Sequence, residues 1–241
     1  MSNLASAKAS REEEIAFLAL EQVLGVDIML ADAGAGDKKP DGTWVYPGGR
    51  QRTGVVEITS PPAERLMGTW ARAKKAGQPQ VESGSIPLRW NQLAEVCAEM
   101  LAEDWARENI DKLLSQSADE RHLFLFARSH KDGGHHFYRL SDSYDDGATE
   151  HVEDLVLPAG ISDVWFRGRA QRDPEYPLGQ ATLRLARFQA GSGWQRYVVT
   201  IQELHLPAPN RHIADDEIPA DQRRPKNRMI NPAVGWGLAE I

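Results

Sequence analysis

The order of periodic segments in this 241-residue sequence predicts an α/β domain: a mixed β-sheet flanked by helices, with a C-terminal β-hairpin extension. Three observations predict it. Two stretches, "SREEEIAFLALEQVLG" and "QLAEVCAEMLAEDWARENIDKLL", repeat apolar residues at helical spacing. Between and after them stand short β-forming runs bounded by Gly and Pro. Near the C-terminus, "ATLRLARF" and "WQRYVVTIQELHL" alternate across the turn "AGSG", as a hairpin does.

Taken in order, the first helix has a cap at Ser10, acidic residues in its first turn and Gly25 at its end. Phe17, Leu18, Leu20 and Leu24 form its apolar face, and Glu14 and Glu21 project toward that same face. "VDIML" is a first strand. "TWVYP" and "TGVVEIT" make a hairpin through "GGRQR", and Pro61 and Pro62 close it and open the helix "AERLMGTWARAKKA". One long helix then carries Cys97, placed in the core among Leu93, Val96, Met100, Leu101 and Trp105. "HLFLFAR", "HHFYRL" and "SDVWFRGRA" follow as strands, and the Pro-rich segment from Pro207 onward is irregular.

A hydrophobic fraction of 41% and a charged fraction of 26% are those of a globular protein, which excludes bulk disorder. The formal charge of −7 excludes a surface that attracts nucleic acid everywhere and leaves a local basic groove as the route to DNA or RNA. No apolar run reaches bilayer length and the N-terminus lacks a secretory apolar core, so a cytoplasmic protein without a membrane partner is expected. A lone cysteine fits a reducing compartment.

The chemistry concentrates in "KKPDGTWVYPGGRQRTGVVEIT". In extended chain Lys39, Asp41 and Thr43 share one side, and on the other arm Glu57 and Thr59 share one. If the arms pair with Asp41 opposite Glu57, two carboxylates converge. Two hard oxygen donors suit Mg²⁺ or Mn²⁺, and Glu14 or Glu21 from the first helix can complete the shell. The competing reading of the same residues is a solvated hairpin, because Pro-Asp-Gly is also turn chemistry.

A helix bearing Glu, a strand, "PD" before a second strand, then "VVEIT" and a helix resembles the core of the PD-(D/E)xK, restriction-endonuclease-like nuclease superfamily over roughly the first hundred residues. The resemblance implies a restriction-endonuclease-like core over residues 10–170, with 171–241 as a C-terminal hairpin and irregular extension packed on it. It implies a metal-dependent phosphodiesterase acting on nucleic acid, with Asp41 and Glu57 as metal ligands and Glu14 or Glu21 as the helix glutamate. The family lysine two positions after the glutamate is Thr59 here. A hydroxyl can position water but brings no charge; Lys39, Lys38 or Arg52 is the expected substitute. The alternative is a catalytically inactive nuclease-fold module that binds or scaffolds.

Other signals are weaker. "DSYDDGATEHVE" approaches a calcium loop, but Tyr144 stands where an oxygen ligand belongs. His135 and His136 are adjacent and would face opposite sides of a strand. Arg65, Arg72, Lys74, Lys75 and "DQRRPKNR" are the basic groups able to meet phosphates, and Trp44, Trp70 and Trp90 are the rings able to stack on bases.

Overall fold

The computed structural model describes residues 9–31, 39–48, 51–62, 64–78, 93–126, 153–167, 180–202 and 205–206. Helix α1 (Arg11–Leu24) starts where the Ser10 side chain accepts the Glu13 N–H and the Glu13 carboxylate reaches back to Ser10, and it stops at Gly25 with φ 67°. Strands β1 (Met29–Leu30), β2 (Gly42–Val45) and β3 (Thr53–Thr59) form an antiparallel meander. Helices α2 (Glu64–Lys75), α3 (Leu93–Ala102) and α4 (Asp104–Leu114) then cross over to β4 (Glu120–Phe126), which lies parallel to β3. Strand β5 (Asp163–Arg167) is parallel to β4, and β6 (Gln180–Gln189) and β7 (Gly193–Gln202) add an antiparallel hairpin. All seven strands join one mixed open sheet in chain order, so the predicted α/β class and C-terminal hairpin are present, the hairpin as a continuation of the sheet.

The sheet separates two cores. On one face α1 packs Phe17 and Leu20 with Trp44, Val56, Phe124 and Trp165. On the other, α3 and α4 pack Cys97, Ile110 and Leu113 with Val55, Leu123, Val164 and Phe166. Strands covered on both faces read as near-continuous apolar runs, as "LFLF" and "VWF" do. Gly54 lets the Trp44 ring lie across β3: a Cβ there would fall 2.2 Å from the indole.

Two expectations are corrected. The first strand is shorter than "VDIML", because the Ile28 N–H is taken by Glu21 Oε1 at 2.8 Å instead of a neighbouring strand. The single long helix is two helices, broken at Glu103, whose backbone is extended (φ −73°, ψ 150°). Continued unbroken, the apolar stripe of Cys97, Met100 and Leu101 would run into Asp104 and Glu108; the break re-phases it to Ala106, Ile110 and Leu113 and leaves those two acids exposed. Cys97 is buried in the core as expected, and burial pushes its thiol pKa up, which leaves it an unreactive packing residue.

Candidate functional site

Pairing of Gly42 with Val56 and of Thr43 with Val55 brings Asp41, one step before β2, opposite Glu57. The turn into β2 is tied down on both sides: Ala31 N–H donates to the Asp41 carbonyl at 3.1 Å, and Ile58 N–H donates to Asp41 Oδ2 at 2.7 Å. Glu57 and Thr59 alternate to the side of Val55, the face covered by α4. From α4, Lys112 Nζ donates to Glu57 Oε1 at 2.8 Å and lies 4.0 Å from Asp41 Oδ1. One turn earlier Asn109 Nδ2 donates to Thr59 Oγ1 at 2.9 Å and to the Trp105 carbonyl at 2.7 Å.

Glu57 is 4% exposed. Burial, and then the charge of Asp41, pushes its pKa up to about 8, against the opposing pull of the Lys112 charge and hydrogen bond. Its second oxygen, Oε2, is buried without a hydrogen-bond partner. A buried acceptor left open costs free energy unless something fills it. With Glu57 ionised, two carboxylates and one ammonium carry a net charge of −1, and an unmatched hard oxygen beside a second carboxylate is the donor chemistry that Mg²⁺ and Mn²⁺ take. The residues therefore fit a divalent ion.

The cation here is Lys112, where the sequence pointed to Lys39, Lys38 or Arg52. Arg52 is bonded to Glu120 and stacks over Tyr46, so it serves another group. Lys39 precedes Pro40 at the approach to β2, and Lys38 lies outside the described residues. Thr59 faces the site but is held by Asn109. Glu21 is committed to the turn after α1 through Ile28. Glu14 is buried at 2% on α1, the helix that covers the opposite face of the sheet. Trp44 is fully buried against Gly54, which removes it as a base-stacking ring. Arg72, Lys74 and Lys75 are exposed in the last turn of α2. The Arg65 and Trp70 side chains, Trp90, His135, His136, the "HHFYRL" strand, "DQRRPKNR" and the calcium-like loop up to residue 152 lie outside the described residues.

The sequence reading passed over a second group on the α1 face. Glu120, His122 and Asp163 are buried and bring three ligand-type atoms within 4.8 Å of one another, near enough that they could hold one metal ion. The signal was available in the strands as alternation, with Glu120 and His122 two apart on β4 and Asp163 paired with His122 across to β5. Tyr46 Oη donates to Glu120 Oε2 at 2.6 Å, and Arg187 Nε donates to Asp163 Oδ1 at 2.7 Å. Burial raises the Glu120 pKa, but the facing His122, the hydrogen bond from Tyr46 and the charge of Arg52 bring it down to about 2. Burial is also the first cause of the raised Tyr46 pKa, followed by Glu120.

Comparison with protein-family profiles, with characterised proteins and with solved structures finds no match. Among the described residues, no helix is long and apolar enough to cross a membrane.

Proposed function

We propose that the chain is a metal-dependent phosphodiesterase of nuclease type, acting on nucleic acid, with a restriction-endonuclease-like core. One observation carries the proposal: Lys112 places its ammonium against Glu57 and Asp41, supplying from α4 the charge that Thr59 lacks on β3. The succession of one helix, three meandering strands, a helical crossover and a fourth strand parallel to the third supports the same reading, because it puts Asp41, Glu57 and Lys112 on one face.

Asp41 and Glu57 are the residues that would hold Mg²⁺ or Mn²⁺. When bound, the ion supplies Lewis acidity toward a phosphoryl oxygen and acidifies a water. Lys112, which donates to Glu57, would face that water and offset negative charge as it developed, the role that the motif lysine would have had. Asn109 fixes the Thr59 hydroxyl, so that the wall beside Glu57 is rigid. The exposed cations at the end of α2 offer contacts to phosphates flanking the scissile one.

The test is calorimetric titration of Mn²⁺ and Mg²⁺ into wild type, Asp41→Asn/Glu57→Gln and Lys112→Met, followed by cleavage of single- and double-stranded DNA and RNA. Expected are ion binding lost in the double variant and cleavage lost in both. Ion binding without cleavage in the wild type supports a catalytically inactive binding module, and absence of ion binding overturns the proposal.

A further inference from the structure

The spacing of Glu120, His122 and Asp163 could admit an ion, but the hydrogen bonds around them decide what fills the gap. Trp165 Nε1–H donates to His122 Nδ1 at 3.1 Å. A nitrogen that accepts carries no hydrogen, so the neutral ring holds its hydrogen on Nε2. Nε2 lies 3.1 Å from Asp163 Oδ2 and 3.4 Å from Glu120 Oε2, aimed between the two and squarely at neither. A histidine that ligates metal through Nε2 ordinarily donates its Nδ1–H to an acceptor. Here Nδ1 meets a donor, and a metal at Nε2 would set two N–H groups against each other.

Charge leads to the same answer. Glu120 is paired by Arg52 and Asp163 by Arg187, so two carboxylates face two guanidiniums and the group is neutral before any ion arrives. A divalent ion would then add two uncompensated charges where His122 and Asp163 have no exposure at all. Trp44 stands edge-on to the His122 ring with centroids 5.0 Å apart, and Trp165 stacks on it with centroids 6.1 Å apart, so the imidazole is held between two indoles. By contrast, the Asp41, Glu57 and Lys112 group becomes negative once Glu57 gives up its proton, and it has an open carboxyl oxygen.

We infer that the gap between Glu120 and Asp163 is filled by the Nε2 proton of a neutral His122 and refuses divalent ions, so that metal is directed to the Asp41–Glu57 face. Only the destination of the ion rests on the proposed phosphodiesterase; the state of His122 stands on its own contacts. The group ties the β2–β3 arm, through Tyr46 and Arg52, to β4, β5 and β6.

The experiment is a long-range ¹H–¹⁵N correlation spectrum of the histidine rings in the full chain, recorded with no metal, with Zn²⁺ and with Mn²⁺. The His122 signals are assigned by their loss in His122→Gln. If that variant unfolds, Trp165→Phe serves, since it keeps the ring and moves the Nδ1 resonance. Expected is a protonated Nε2 that Zn²⁺ leaves unchanged, with Mn²⁺ broadening centred on Glu57, Ile58 and Lys112 and abolished everywhere, His122 included, in Asp41→Asn/Glu57→Gln. The inference is overturned by Zn²⁺ removing the Nε2 proton, by a hydrogen found on Nδ1, or by Mn²⁺ broadening at His122 that survives the double variant. An unchanged Nε2–H with Mn²⁺ broadening nowhere leaves His122 as assigned and removes the phosphodiesterase reading instead.

Discussion

Lys112 on α4 donates to Glu57 on β3 at 2.8 Å, joining two residues fifty-five positions apart in sequence. An ammonium at this position opposes metal binding by repulsion and assists turnover by stabilising developing charge, so its removal separates the two. In Lys112→Met, Mn²⁺ affinity measured by calorimetry is expected to hold or rise. Cleavage is expected to fall by ~10²–10³-fold, the usual cost of losing one positioned electrostatic donor.

Thr59 lies two positions after Glu57 on the same side of β3, where the resemblance to the PD-(D/E)xK nucleases expects a lysine. A lysine introduced there, with Lys112 removed, returns the charge from the neighbouring strand position. Lys112→Met/Thr59→Lys is therefore expected to recover cleavage lost in Lys112→Met. Thr59→Val, which loses the acceptor for Asn109 but no charge, is expected to reduce activity less than Lys112→Met does.

Glu57 has its pKa raised from 4.5 to about 8, so the folded protein holds a proton there that the unfolded chain releases. Its contribution to stability is complete below about 4.5 and is lost as pH rises through about 8. Thermal melts in EDTA between pH 5 and pH 9 are expected to show stability declining across that window, with the decline absent in Glu57→Gln. Because a ligand must be deprotonated, Mn²⁺ affinity runs the other way and increases toward pH 8.

Gly54 has the Trp44 indole where a side chain would begin, with the nearest ring atoms 2.2 Å from an ideal Cβ. Gly54→Ala must displace a fully buried tryptophan or shift β3. A loss of ~1–3 kcal/mol is expected from overpacking, measured by denaturant unfolding. Gly68→Ala is the control: nothing lies within 4 Å of its added Cβ.

The hairpin arm of the site was legible because strand alternation is a local rule: Asp41 and Glu57 could be placed on one side, opposite each other, from sixteen residues of context. Lys112 was not legible, because its position depends on the break at Glu103, which rotates α4 relative to α3. A continuous helix puts a charged run on the apolar stripe, and that conflict was the available signal. With α4 re-phased, Trp105, Asn109 and Lys112 form a half-buried row beside Ala106, Ile110 and Leu113. Arg52 stood beside Lys39 and Lys38 as a candidate cation because sequence nearness stood in for spatial nearness, whereas its partner Glu120 is brought in from the far end of the crossover. The Glu120, His122 and Asp163 group escaped notice because β4 and β5 read as apolar runs in which polar residues look like strand ends.

The parallel pairing of β3 with β4 also sets when the site can exist. The β6–β7 hairpin closes a short loop and can form on a timescale of ~1–10 μs, whereas β3 and β4 must wait for the whole α2–α4 crossover to be drawn back onto the sheet. Asp41 and Glu57 can meet early, within their own hairpin, as two bare carboxylates. Lys112 arrives only with the crossover. On the proposed function, a nascent or partly folded chain would hold the metal-binding carboxylates without the cation needed for turnover, and cleavage would wait for the long-range topology.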